Sequence, residues 1–182
     1  MHNKLVWIDC EMTGLDIEKD CIIEIATIVT DEHLQIIEEG PNLIIHAEEH
    51  ALTDLNPWVQ KTHSESGLLD KVRQSSLSLA EAEKQTLAFI QKHVDKGQAP
   101  LCGNSIGTDR AFLKRGMPML ESFLHYRNVD VSTVKILYQS WVPNAKSFPK
   151  EGQHRALDDI KESIAELAYY RECFFSLPDV SE

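Results

Sequence analysis

The sequence predicts an α/β fold, one mixed five-stranded sheet flanked by helices. Three observations carry this reading: a short apolar run at Leu5–Ile8, a long β-branched run from Ile22 to Thr30, and, from Ser78 onward, strand-sized apolar runs alternating with helical patterns. Three leading strands followed by strand–helix alternation place antiparallel and parallel neighbours in one sheet. Functional groups on such a sheet collect at strand ends.

Residues 4–10 form the first strand, and 21–30 the second, nearly continuous in Ile, Val and Thr. Asp31-Glu32-His33 is a turn, after which Leu34–Ile37 and Leu43–Ile45 make a third strand interrupted at Gly40-Pro41. A polar, mainly helical region follows at about 52–75. Ser78-Leu79-Ala80-Glu81 is a capping box that opens a helix to about Lys96, with Leu79, Ala82, Phe89, Ile90 and Val94 on its inner face. Ala99–Cys102 is the fourth strand. The turn Gly103-Asn104-Ser105-Ile106-Gly107 then starts a helix with Asp109 in its first turn and Phe112 and Leu113 facing inward. Val129–Val131 is a short fifth strand that leads into a helix from about Ser132, and 142–153 is a Pro- and Gly-containing loop. Leu157, Ile160, Ile164, Leu167 and Ala168 give a long amphipathic C-terminal helix.

At 182 residues, with 42% hydrophobic and 26% charged content, the chain fits a single domain, residues 1–182, with its core at about 4–175 and a short flexible tail. No internal repeat or linker interrupts it. No apolar stretch approaches the ~18 residues of a membrane span, and Met1-His2-Asn3-Lys4 leads into a strand rather than a signal peptide, so the expected location is the cytoplasm. Cys10, Cys21, Cys102 and Cys173 are widely spaced and contain no CxxC pair, which suits reduced thiols.

The acidic residues carry the chemistry. Asp9 and Glu11 sit where the first strand ends, and a period of two puts both carboxylates on one side, with Cys10 turned into the core. Asp109 and Asp159 can be delivered beside them by helices. Carboxylates brought together repel by roughly 4 kcal/mol per pair at 4 Å and an effective dielectric near 20, unless cations lie between them. The pattern therefore points to a metal-dependent nuclease site. Taken alone, Asp9 and Glu11 also suit a turn, Asp109 a helix-dipole partner, and His154 a surface loop.

The net charge of -11, from 29 acidic against 18 basic residues, argues against a groove that tracks a long polyanion. Positive charge gathers only at Lys114-Arg115, at Lys146 and Lys150, and around 125–127. A nuclease with this balance holds a substrate of a few nucleotides by specific contacts.

Four blocks, Ile8-Asp9-Cys10-Glu11-Met12-Thr13-Gly14-Leu15, residues 102–110, residues 125–133, and His154-Arg155-Ala156-Leu157-Asp158-Asp159, closely resemble the oligoribonuclease family, of the DEDDh branch of the DEDD 3'-to-5' exonucleases. The resemblance runs from about Leu5 to Arg171. It implies a ribonuclease-H-like fold, a homodimer, and hydrolysis of very short oligoribonucleotides, especially 5'-phosphorylated dinucleotides, to mononucleotides. By resemblance, Asp9, Glu11, Asp109 and Asp159 hold two divalent cations, Mg²⁺ or Mn²⁺, and His154 is the general base. The motif selects Asp159, five residues after the histidine, over its neighbour Asp158.

Further roles follow the same resemblance. Ser105, Arg127, Ser132 and Thr133 match a cap on the substrate's 5' phosphate. Leu15 and Trp58 match residues that pack against the two bases, and His63 matches a position near the substrate. Tyr126 matches a tyrosine that one subunit contributes to the active site of the other. The chain departs from the family at Ser140, where an arginine is usual, and this touches no expected ligand. A broader DNA- or RNA-trimming exonuclease shares the carboxylates and histidine but gives no reason for the phosphate-cap block. A catalytically silent nucleotide-binding module would usually have lost a ligand, and all are present.

Overall fold

The structure, a computed structural model, describes residues 3–149 and 155–175. Its elements in chain order are β1 (Lys4–Met12), β2 (Ile22–Asp31), β3 (Ile36–Ile44), α1 (Glu49–Thr53), α2 (Pro57–Glu65), α3 (Leu68–Gln74), α4 (Leu79–Ile90), β4 (Pro100–Gly103), α5 (Gly107–Gly116), α6 (Pro118–Phe123), β5 (His125–Asp130), α7 (Val131–Trp141) and α8 (Ala156–Cys173). The strands form one sheet in the order β3-β2-β1-β4-β5. β1–β2 and β2–β3 pair antiparallel, whereas β1–β4 and β4–β5 pair parallel, the mixed sheet expected from the element order.

Each face of the sheet has its own core, which is why β2 is apolar at almost every position rather than at alternate ones. On one face Val6, Ile8, Cys10, Ile25 and Val29 pack against Ala82, Phe89 and Ile90 of α4 and Phe112 and Leu113 of α5. On the other, Trp7, Ala26, Ile28 and Cys102 meet Val131 and Tyr138 of α7 and Ile160, Ile164 and Tyr170 of α8. A smaller cluster joins Ile23 to Leu52, Leu68, Leu69 and Val72 under α1 and α3. Trp7 Nε1 donates to Thr30 Oγ1 at 3.0 Å, so the buried indole N–H is satisfied.

Several boundaries differ from the sequence expectation for identifiable reasons. β3 is continuous through Gly40-Pro41. Its interruption is a bulge, since Ala26 and Ile28 pair with Asn42 and Glu39, three residues on against two. β3 is an edge strand, which tolerates the proline, and a Cβ at Gly40 would collide with the Phe89 ring. The Ser78 capping box is present, but α4 ends at Ile90 rather than near Lys96. The Lys92 and His93 amides bond to carbonyls three residues back, closing the chain into tight turns before Gly97 at φ +73°. Val94 still packs on the core. β5 starts at His125 instead of Val129, so Tyr126 and Arg127 are strand residues. Their polar, exposed character hid the first half of the strand, because β5 is the sheet's other edge. The short α6 was not foreseen either.

Candidate active site

Trp7, Asp9 and Glu11 follow at intervals of two along β1, so the acids share the face that α7 and α8 cover, while Cys10 points into the opposite core. α8 lies against β1 and β2 and carries Asp159 in its first turn. One carboxylate oxygen each from Asp9, Glu11 and Asp159 lies within 4.8 Å of the other two. Asp109, in the first turn of α5 and only 6% exposed, adjoins the trio: its Oδ1 accepts the Cys10 backbone N–H at 2.9 Å. The four acids expected from the sequence thus converge from β1, α5 and α8.

The electrostatics of the group follow from burial and crowding. Burial holds the Asp9 carboxyl well above the usual carboxylate range, reinforced by Asp109, Glu11, Asp159 and Glu24 in that order. Glu11 is pushed up to about 8 by burial, then by Asp159, Glu24 and Asp109, with Arg155 pulling in the opposite direction. Burial raises Asp109 to about 7, against the hydrogen bond from the Cys10 amide, which lowers it. Acids in this state demand positive charge. The all-oxygen donor set suits hard divalent ions such as Mg²⁺ and Mn²⁺ and fits a divalent metal site. Cys10, between the two strand acids, is no rival nucleophile, because burial and the neighbouring carboxylates push its thiol up. All four cysteines are free thiols.

Next to the acids lies a cavity of about 310 Å³ lined by Cys10, Glu11, Met12, Gly14, Leu15, Asn56, Trp58, Val59 and His63. Leu15 and Trp58 are 76% and 62% exposed, unusual for apolar side chains this large, and both line it. Each is held by its local turn. Thr13 Oγ1 donates to Asp20 Oδ1 at 2.9 Å and the Asp16 amide to Asp20 Oδ2 at 2.8 Å, fixing the loop that carries Leu15. Asn56 Oδ1 accepts the Trp58 N–H at 2.9 Å, capping α2 with Pro57 at its first position. His63 is buried, and its Nε2 sits 3.0 Å from the Met12 carbonyl and 3.9 Å from Glu11 Oε2. A carbonyl only accepts, so Nε2 carries the proton there.

Ser105, Ser132 and Thr133 are brought together around Asp130. Asp130 Oδ1 accepts the amides of Ser105 (2.9 Å) and Ser132 (3.1 Å), and its Oδ2 accepts the Thr133 hydroxyl (2.9 Å). The hydroxyls of Ser105 and Ser132 are 3.1 Å apart, and Ser132 Oγ donates to Asn104 Oδ1 at 3.0 Å. Ser105 adopts φ +50°, a left-handed conformation costly for serine, and these bonds maintain it. The Arg127 guanidinium instead lies 5.3 Å from the centroid of the Tyr126 ring, which is 74% exposed. His154 lies outside the described residues. Ser140, at the family's usual arginine position, donates to the Ile136 carbonyl within its own helix.

Sequence reasoning missed Asp20, Asn56, Asn104, Asp130, Glu24 and Arg155 as supports. Glu24 had a signal: it is the one charged residue inside the β-branched run from Ile22 to Thr30.

A mixed sheet with three clustered acids at the end of its first strand and Asp109 bonded beside them suits a hydrolase of phosphodiester bonds, and the profile of the family described as Exonuclease matches residues 6–167. Within that class the chain belongs to the oligoribonuclease family. A protein named Oligoribonuclease from Shewanella loihica is 56% identical over 97% of this chain and 98% of its own length. Others of that name from Haemophilus influenzae and Marinobacter nauticus are 56% and 53% identical, over 95% and 96% of this chain and 96% and 98% of theirs. Among solved structures, exonuclease I from Methylocaldum szegediense shares the fold at a TM-score of 0.68 and 19% identity, covering 93% of this chain and 40% of that one. Escherichia coli exonuclease I in complex with a dA16 oligonucleotide gives 0.71 and 15%, over 93% and 41%. The chain therefore spans about two fifths of those longer nucleases. Among the described residues no helix is long and apolar enough to cross a membrane.

Proposed function

We propose that the protein is a 3'-to-5' exoribonuclease that hydrolyses oligoribonucleotides of two to a few residues, above all 5'-phosphorylated dinucleotides, to nucleoside 5'-monophosphates. The observation that carries this reading is the junction at Glu11, which belongs both to the acid cluster and to the wall of the 310 Å³ cavity bearing Leu15 and Trp58. A cavity near the lower end of small-ligand pockets, roughly 300 Å³, suits one or two bases, not a strand. The net charge of -11 agrees, because few phosphates can be neutralised along such a surface. The relatives' name, Oligoribonuclease, points to the same substrate class.

In this reading Asp9, Glu11, Asp109 and Asp159 hold two divalent cations, Mg²⁺ or Mn²⁺. When bound, these supply charge neutralisation at the scissile phosphate and at the departing 3' oxygen, and they acidify water. Leu15 and Trp58 stack on and wedge the bases without reading sequence, worth roughly 1–3 kcal/mol per base. Buried His63 anchors the start of the Leu15 loop through the Met12 carbonyl. His154 accepts the proton of the attacking water as the general base.

Ser105, Arg127, Ser132 and Thr133 close around the terminal 5' phosphate, so that an added nucleotide has nowhere to go. Asp130 organises three of these four, and Thr133 serves the group through its bond to Asp130. The protein acts as a cytoplasmic homodimer in which the exposed Tyr126 on edge strand β5 reaches the partner subunit's active site. A monomeric variant with full turnover contradicts that last point.

The test compares cleavage of 5'-phosphorylated dinucleotide, ribonucleotide heptamer and duplex DNA. The proposal expects turnover to fall in that order. Equal or faster cleavage of duplex DNA supports a broader exonuclease instead, and no cleavage of any supports a silent nucleotide-binding module.

A further inference from the structure

Glu24 is a fifth carboxylate beside the acid cluster. It has no exposed surface, and it stands directly across the β1–β2 ladder from Glu11. Its charge adds to the repulsion on both Asp9 and Glu11. Such a group burdens the site unless it performs a task there.

The task is visible in its partner. The Arg155 guanidinium donates from Nε to Glu24 Oε1 and Oε2 at 3.3 and 3.1 Å, and from Nη2 to Oε1 at 2.8 Å. A planar fork held at both nitrogens has its orientation fixed, which a lysine could not achieve. Arg155 is the N-cap residue of α8, and its side chain makes no cap there. Its carbonyl, however, accepts the amides of Asp158 at 3.0 Å and of Asp159 at 2.9 Å. A continuous chain therefore runs from a buried carboxylate on β2, through the guanidinium and backbone of Arg155, to the amide of the cluster acid Asp159.

We propose that Glu24 and Arg155 are positioning residues that lock the first turn of α8 onto β2 and hold Asp159 in place against Asp9 and Glu11. The pair supplies rigidity rather than charge. It carries no net charge, and it sits at the N-terminal end of α8, where the cluster would otherwise push Asp159 away.

Charge and position make opposite demands, and this makes the idea testable. If the pair acted only through its field, Arg155→Gln would leave an extra anion and tighten divalent binding, while Glu24→Gln would leave an extra cation and weaken it. Positioning weakens binding in both. The experiment measures Mn²⁺ affinity by electron paramagnetic resonance on the full chain as wild type, Glu24→Gln, Arg155→Gln and Arg155→Lys, alongside KM and kcat for a dinucleotide at saturating Mn²⁺. Both glutamine variants are expected to lose about 10- to 100-fold in Mn²⁺ affinity, as when a ligand's supporting partner is removed. Arg155→Lys, which keeps the charge and loses the fork, falls between, and at saturating Mn²⁺ kcat drops while KM stays within about twofold.

Mn²⁺ bound as tightly or more tightly by Arg155→Gln overturns the proposal. If that variant does not fold, judged by circular dichroism, Arg155→Lys decides in its place: unchanged affinity overturns the proposal and weakened affinity supports it. The inference rests on the metal-binding role of the acids. A wild type that takes up no Mn²⁺ overturns that role and this proposal together, whereas normal wild-type uptake with unaffected variants overturns this proposal alone.

Discussion

Asp109 Oδ1 accepts the backbone N–H of Cys10 at 2.9 Å, joining residues 99 positions apart. The bond seats the first turn of α5 on β1 between the two strand acids, so the helix-borne carboxylate is placed by the same strand that carries Asp9 and Glu11.

Asp109→Asn separates placement from charge. The asparagine carbonyl can still accept the Cys10 N–H, so the fold is expected to persist. Near pH 8 the metal-free variant should melt higher than wild type, because a buried charge that also presses on Asp9 and Glu11 is gone. Turnover of a dinucleotide should fall by about 10²-fold or more, the scale set by losing one electrostatic contact at the reacting phosphate. Thermal melts and steady-state rates on the same preparations check both.

The raised carboxyls also fix a pH dependence. Glu11 titrates at about 8 in the folded chain against an ordinary value of 4.5, so between those values the folded state binds a proton that the unfolded state has released. Stability of the metal-free protein should therefore fall as pH rises from about 5 to about 8, the reverse of the usual carboxylate case. Divalent ions replace those protons, so the Mg²⁺-induced rise in Tm should be larger at pH 8 than at pH 6, with proton release on binding. Calorimetry in buffers of different ionisation enthalpy reads that release.

Trp58 is 62% exposed and its helix turn is capped by Asn56, so shortening its side chain removes little buried surface from the fold. Trp58→Ala should weaken short-oligonucleotide binding by roughly 1–3 kcal/mol, seen in KM, with Tm nearly unchanged. A large fall in Tm with unchanged KM would instead mark Trp58 as a packing residue.

Much of this site was legible in the sequence because its parts are local signals. The apolar run ending at Asp9-Cys10-Glu11, the turn before Asp109 and the helical pattern after Ala156 each locate one acid on one element, and the structure joins all four. The supports were less legible. Asn104 reaches Ser163 and Glu166, 59 and 62 residues away, and Glu24 reaches Arg155 across 131, distances at which no local pattern operates. The first half of β5 escaped notice because an exposed edge strand needs no apolar alternation, and the end of α4 because its turns arise from backbone bonding, not from a proline. The bulge at Gly40-Pro41 was visible as an irregularity, but its meaning depended on Phe89 lying beneath.

For His154, replacement by alanine should cost about 10²- to 10⁴-fold in kcat while leaving divalent uptake largely intact, the usual contribution of general base catalysis. Unchanged turnover would remove the residue from the reaction.

The most direct test of the account is a calorimetric titration of wild type and Asp9→Asn with Mg²⁺ or Mn²⁺, since Asp9 is the acid on which Asp109, Glu11 and Asp159 all press. Uptake of two ions by wild type that is abolished or reduced to one weak site in Asp9→Asn is the predicted result. Equal uptake by the two proteins, or none by a wild type that still cleaves dinucleotides, would contradict it.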